Sequence, residues 1–304
     1  MTRVPADLPV VAVLSREPAA RAWLARLPAL IDEVAAEFGV RPGPPVHGGS
    51  CSWVAPARLP DGTAVMIKIG WPHRESAGEA AALRAWNGDG AVRLLRHSPT
   101  RNALLLQRCV PGRDLGDWAA PDGERLRAGC AVLRRLWRAA PPPPGGLERL
   151  ADVAAEWAGV MTERMARLRP GYDPGLVTLA ASLLRSLPAT AGRSVVLHGD
   201  ANPGNILSSG EGWLAIDPKP MTGDPAYDPW PLLEQVGGSF GHPAAPDADR
   251  VARVAEDLGL DAARTVMWAL ARRVEAALWS ADHGDRAAGA RWMDTARAYA
   301  ALLP

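Results

Sequence analysis

Apolar residues in "REPAARAWLARLPALIDEVAAEFG" recur every three to four positions and the run stops at Gly39, which predicts an opening amphipathic helix. "RPGPP" breaks it, and from Val46 the texture becomes strand-like. "VHGGSCSWVAPARL" and "TAVMIKIG", joined by "PDG", predict a β-hairpin. A helix is predicted in "RESAGEAAALRAWNG", stopping near Gly88, and a second strand pair in "AVRLLRH" and "NALLLQRCV". Beyond "PGRDLGDW" the pattern is Ala, Leu and Arg at helical spacing, with helices predicted over 123–139, 147–167 and 174–187 and a hard break at "PPPPGG". The tract Pro141 to Pro144 reads as an interhelix connector. One more strand pair is predicted within "SVVLHGD…NIL…GWLAIDPK", after which helices resume to Leu303. There is no internal repeat.

This order of elements predicts an α+β chain of two lobes. A small β-rich N-terminal lobe with a leading helix occupies 1–107, a hinge 108–113, and a helical C-terminal lobe 114–304. The chain's 304 residues suffice to bury a core in each. Its 34 Lys and Arg nearly cancel its 33 Asp and Glu, so it lacks the basic footprint of a nucleic-acid binder and a small-molecule partner is expected. Cys51, Cys109 and Cys130 show no CxxC spacing, which argues against a zinc site or a disulfide framework. "LPVVAVLS" is too short for a signal core, and no run approaches the roughly 20 apolar residues of a membrane span. A soluble, cytoplasmic protein without membrane partners is expected; nothing in the sequence bears on its oligomeric state.

The candidate chemistry lies in "VVLHGDANPGNIL" and "WLAID". If "NIL" and "WLAI" pair as a hairpin, Asn205 and Asp217 leave adjacent strand ends toward one point, which a loop-borne Asp200 can also face. Two oxygen ligands beside a free carboxylate suit Mg²⁺ and phosphate transfer, although Asp and Asn also serve turns by bonding their own backbone. Of the basic residues only Lys68 and Lys219 are lysine. Lys68 sits inside the apolar strand "VMIKIG", where an ammonium needs a carboxylate; Glu79 on the following helix is the best candidate and Glu75 the next. His198 reads as a packing residue bonded to backbone more readily than as a base, and the tryptophans read mainly as core.

The segments "VMIKIG", "GEAAALRAW", "VLHGDANPGNIL" and "WLAIDPK" stand in the order found in the protein-kinase-like fold of aminoglycoside phosphotransferases, which the chain resembles over about 46–230. "LRAWNGDGAVRLL" and "WLAIDPKPMTGDPAYDPWP" are similar to the streptomycin 6-phosphotransferase and hydroxyurea phosphotransferase group. The resemblance implies ATP and Mg²⁺ as cofactors, Asp200 as catalytic base, Asn205 and Asp217 as metal ligands, Lys68 on the α- and β-phosphates and Glu79 orienting it. It places the adenine edge at backbone groups of Arg108, Cys109 and Val110, with Gln107 beside them. "HGGSCSW" lacks a full G-x-G-x-x-G, so a phosphate-covering loop at Gly48, Gly49 and Ser50 rests on position, with a plain β-turn equally open. Ala201 and Asn202 stand where many relatives carry a larger apolar residue and a histidine.

Phosphorylation of the streptomycin 6-hydroxyl, an antibiotic-inactivating reaction, is the leading expectation. Asp224, Asp228 and Glu234 are candidate acids for a cationic acceptor, Asp228 also as helix cap and brace of the catalytic loop. Lys219 reads either as a phosphate or substrate contact or as a solvated loop lysine. Hydroxyurea or another hydroxylated metabolite is the alternative acceptor, and an ATP-binding regulatory module without turnover the alternative class.

Overall fold

The computed structural model describes residues 4–143, 145–210, 212–238 and 247–304; Pro144 of the expected connector lies outside them. The chain opens with α1 (Pro9–Leu14) and α2 (Arg21–Phe38), the second ending at a left-handed Gly39. An antiparallel five-stranded sheet follows, built from β1 (Arg41–Pro42), β2 (Ser52–Arg58), β3 (Ala64–Gly70), β4 (Leu94–Ser98) and β5 (Ala103–Gln107) in the order β1-β2-β3-β5-β4. Helix α3 (Glu79–Trp86) connects β3 to β4.

Alternation along the central strand decides what each face does, because successive side chains point to opposite sides. Val65, Ile67 and Ile69 of β3, with Ala103 and Leu105 of β5, pack onto Leu27, Leu30, Ile31 and Val34 of α2. Met66 of β3 and Leu104 and Leu106 of β5 belong to the second core, together with Leu83 and Trp86 of α3. Lys68 shares the parity of Met66, so it leaves the sheet on the side away from α2.

The second core is helical. Strand β6 (Pro111–Asp114) leads into α4 (Asp122–Leu136), then β7 (Glu148–Arg149), α5 (Leu150–Leu168) and α6 (Pro174–Ser186). After β8 (Val195–Leu197), β9 (Ile206–Ser209), β10 (Gly212–Ala215) and β11 (Met221–Gly223), the chain closes with α7 (Trp230–Gln235), α8 (Ala248–Leu258), α9 (Ala262–Asp282) and α10 (Arg286–Ala300). Helix α9 is apolar around most of its girth and buried accordingly: Val266, Trp268, Leu270, Val274 and Leu278 are all at most 3% exposed.

The expected hairpin forms, with Ile206 opposite Ala215 and Leu207 opposite Leu214. The rest of that region differs from the single strand pair expected. β6 adds to the hairpin, while β8 pairs antiparallel with β11, which is joined in parallel by β7. These strands are two to four residues long, too short to show a period, and partners 26 residues apart are joined only by the fold.

Candidate active site

The loop between β8 and β9 carries Asp200, and its backbone is pinned from beneath. The buried His198 donates Nε2–H to the Ile216 carbonyl at 3.0 Å and accepts the Asp200 N–H on Nδ1 at 3.3 Å, which selects the neutral tautomer. Burial holds its pKa below the ordinary value, and Trp86 stacks on the ring at 6.2 Å. It is a structural pin. Asp228, 1% exposed, accepts the N–H of His198 at 2.9 Å and of Gly199 at 2.8 Å, and the Trp137 indole N–H at 2.9 Å. Burial raises its pKa against the pull of these three donors.

Gly199 permits a backbone-to-backbone approach. Its φ is +79°, and a Cβ there would stand 2.0 Å from the Lys219 carbonyl oxygen, while the Lys219 N–H donates to the His198 carbonyl at 2.8 Å. The Asp200 loop and the segment Asp217–Pro218–Lys219 are thereby held side by side. Beyond the hairpin, the Ile216 N–H donates to the Asn205 carbonyl at 2.9 Å, so Asn205 and Asp217 leave neighbouring strand ends. Asp217 itself has a left-handed φ of 53°, a region Asp tolerates better than most residues.

Lys68 meets two carboxylates. Its Nζ donates to both oxygens of Glu79 at 2.7 Å and to Oδ1 of Asp217 at 2.5 Å. Burial disfavours the ammonium, but Glu79 and Asp217 outweigh it and raise the lysine pKa. Burial likewise raises the pKa of Glu79, with Lys68 opposing it. For Asp217 the attraction of Lys68 outweighs burial, and its pKa falls.

Asp200 accepts Asn202 Nδ2–H on Oδ1 at 3.0 Å, and Oδ2 lies 3.5 Å from Lys219 Nζ, which is equally far from Glu75. Glu75, second choice for Lys68, thus pairs with the other lysine. Gly49 and Ser50, with Gly48 before them, border the cavity that Lys68, Glu79, Asp217 and Lys219 line. At the hinge, Gln107 Oε1 already accepts the Arg93 N–H at 3.2 Å and the Val110 carbonyl accepts the Gly210 N–H at 3.0 Å. Cys109 beside them is buried, which pushes its thiol pKa up to about 11.

The three expected substrate acids are buried and hydrogen-bonded within the chain. Asp224 accepts from Arg264 Nε at 2.6 Å and Trp268 Nε1 at 2.7 Å, and Glu234 is paired with Arg273 at 2.6 Å. Both, like Asp228, are at most 3% exposed, because a carboxylate beside an apolar helix is stable when buried donors satisfy it. Asp228 braces the loop but does not cap α7, whose N-cap is Pro229.

The family model described as "Aminoglycoside/hydroxyurea antibiotic resistance kinase" matches residues 39–284. The chain belongs to the aminoglycoside/hydroxyurea antibiotic resistance kinase family. It is 34% identical to a streptomycin 6-kinase of Streptomyces glaucescens over 273 residues, covering 88% of this chain and 87% of the relative. It is also 34% identical to a hydroxyurea phosphotransferase of Kitasatospora aureofaciens, covering 94% and 82%. Among solved structures, the choline kinase LicA of Streptococcus pneumoniae superposes with a TM-score of 0.64 at 12% identity, covering 90% of this chain and 98% of that one. The fold is the bilobal, protein-kinase-like fold, with a small β-rich N-lobe and a helical C-lobe.

In this kinase the donors suit a hard cation. Asn205 donates Nδ2–H to the Asp200 carbonyl at 2.9 Å, leaving Oδ1; Asp217 accepts from Lys68 on Oδ1, leaving Oδ2. Among the described residues no group of three or more His, Cys, Asp or Glu forms a complete cage. Two oxygens with nucleotide phosphates and water are a coordination Mg²⁺ accepts. No helix among the described residues is long and apolar enough to cross a membrane. The sequence offered no signal for the Lys219–Asp200 contact beyond the rarity of lysine.

Proposed function

We propose that this kinase moves the γ-phosphoryl group of ATP to a hydroxyl of an aminoglycoside, the streptomycin 6-hydroxyl being the leading acceptor. The observation that carries the reading is the Lys68–Glu79–Asp217 ion triad beside the Asp200 loop. Lys68, fixed by Glu79, serves the α- and β-phosphates, and the adenine lies at the hinge of 108–113 between the lobes 1–107 and 114–304. Asn205 and Asp217 hold Mg²⁺, which neutralises phosphate charge when bound. Asp200 accepts the proton of the acceptor hydroxyl as its oxygen attacks the γ-phosphorus and the bond to the β-phosphate oxygen breaks, releasing ADP. Base catalysis of this kind contributes about 10² to 10⁴ in rate.

A second reading, transfer to hydroxyurea or another small neutral acceptor, is favoured by the burial of Asp224, Asp228 and Glu234, which removes the acids expected to greet a polycation. Mass spectrometry of streptomycin, other aminoglycosides and hydroxyurea after incubation with Mg-ATP separates the readings, with Asp200→Asn as control. Phosphorylated streptomycin, absent with the variant, is the expected result. Phosphorylated hydroxyurea alone supports the second reading, and an unmodified panel removes the antibiotic assignment.

A further inference from the structure

Two consecutive arginines on α9 have opposite fates. Arg273 forms a two-pronged pair: Nε and Nη2 meet Glu234 at 2.8 and 2.6 Å, with the rings of Trp230 and Trp292 beside its guanidinium. Arg272 is held but not used up. Its guanidinium lies 3.9 Å over the Trp157 ring, and Nη1 donates to Glu275 Oε2 at 3.0 Å. Nε is buried without a partner, and among the described residues no acceptor engages Nη2.

This guanidinium stands on the catalytic side of the helical lobe. Trp157 stacks on Tyr227 at 6.1 Å, and Tyr227 directly precedes Asp228, whose carboxylate holds the backbone of His198 and Gly199 immediately before Asp200. Burial disfavours the charge of Arg272, but the fields of Tyr227, Glu275, Glu75 and Asp200 outweigh it, and its pKa is raised. Through Trp157, Tyr227 and Asp228 the guanidinium is thus linked to the loop that carries Asp200, the carboxylate that Lys219 approaches to 3.5 Å. A planar fork fixed on an aromatic face and by one carboxylate is pre-organised to donate from Nη2.

We propose that Arg272 is a specificity-determining residue that orients the acceptor: its Nη2 donates a hydrogen bond to an uncharged oxygen, hydroxyl or carbonyl, adjoining the hydroxyl that Asp200 deprotonates. A cationic substituent is excluded from this point by the guanidinium. Trp157 and Glu275 set the plane of the fork and touch no substrate. The inference rests on the phosphotransferase reading and names the chemistry of its acceptor.

The test measures kcat and KM separately for ATP and for the acceptor, with streptomycin and hydroxyurea as probes, in wild type, Arg272→Lys and Glu275→Gln. Arg272→Lys keeps the charge but loses the fork, and acceptor kcat/KM is expected to fall at least tenfold with the KM for ATP within twofold. Glu275→Gln keeps the guanidinium and loosens it; an acceptor KM raised about threefold to tenfold, again with ATP unaffected, keeps the inference testable should Arg272→Lys fold poorly. Unchanged acceptor kinetics in either folded variant, or equal losses for ATP and acceptor, overturn the role of Arg272 while leaving phosphotransfer intact. If wild type modifies neither probe, the acceptor reading fails and this inference with it.

Discussion

Asp228 holds Gly199 by its backbone N–H at 2.8 Å and His198 by the same group at 2.9 Å, so a carboxylate at the foot of α7 sets the course of the loop that carries Asp200. Asp228→Asn keeps the shape and turns one accepting oxygen into a donor that faces N–H groups. A buried donor left without an acceptor costs about 1–3 kcal/mol. Urea unfolding is expected to read that loss, and kcat to drop at least tenfold through the displaced Asp200. Wild-type turnover in a folded variant would remove Asp228 from the support of the loop.

Gly199 and Gly39 both have positive φ but differ in surroundings. At Gly39 an added Cβ meets nothing within 4 Å, whereas at Gly199 it meets the Lys219 carbonyl at 2.0 Å. Gly39→Ala is expected to cost only the conformational strain, about 1 kcal/mol. Gly199→Ala must also part the Asp200 loop from the Lys219 segment, and a loss on the order of 3 kcal/mol or more with loss of activity is expected. Thermal melts of the two variants make the comparison, and equal shifts would contradict it.

Lys68 and Glu79 separate stability from function. Lys68→Met strands the buried Glu79 carboxylate and is expected to cost about 3–5 kcal/mol. The double variant Lys68→Met with Glu79→Leu removes both charges, and an apolar replacement of a buried pair is often close to neutral. At least half the lost stability should return while activity stays absent in both. Denaturant midpoints and ATP turnover measured together decide it; activity in the double variant would break the assignment of Lys68 to phosphate.

Asp282, at the end of α9, bonds Arg167 Nη2 at 2.7 Å and Arg164 Nε at 3.0 Å, tying α9 to α5. Arg167 first and Arg164 next depress its pKa below the ordinary value near 4. A depressed folded pKa means the unfolded chain binds the proton more readily, so the contribution is complete above about pH 4 and is lost as pH falls through the lower folded value. Melting temperatures of wild type and Asp282→Asn are expected to differ at pH 7 and to converge toward pH 3. A gap constant with pH would show that the ion pairs do not carry the difference.

The sequence by itself determined what is local. A helical period produces α2, a turn of Asp61 and Gly62 produces the β2–β3 hairpin, and the parity of Lys68 with Met66 sends the lysine to the face opposite α2. The order of Lys68, Glu79, Asp200, Asn205 and Asp217 was legible for the same reason, since each lies on or beside an element whose pattern is its own. Only tertiary structure decided which of many acids meets which base. Asp224 and Glu234 read as candidate acids for a cationic acceptor, and the folded chain gives them to Arg264 and Arg273 on α9; Glu75 goes to Lys219, and Arg272 keeps Nε and Nη2 without an acceptor among the described residues. Charge pairing is a matter of distances between elements far apart in the chain, and no period or turn encodes those distances.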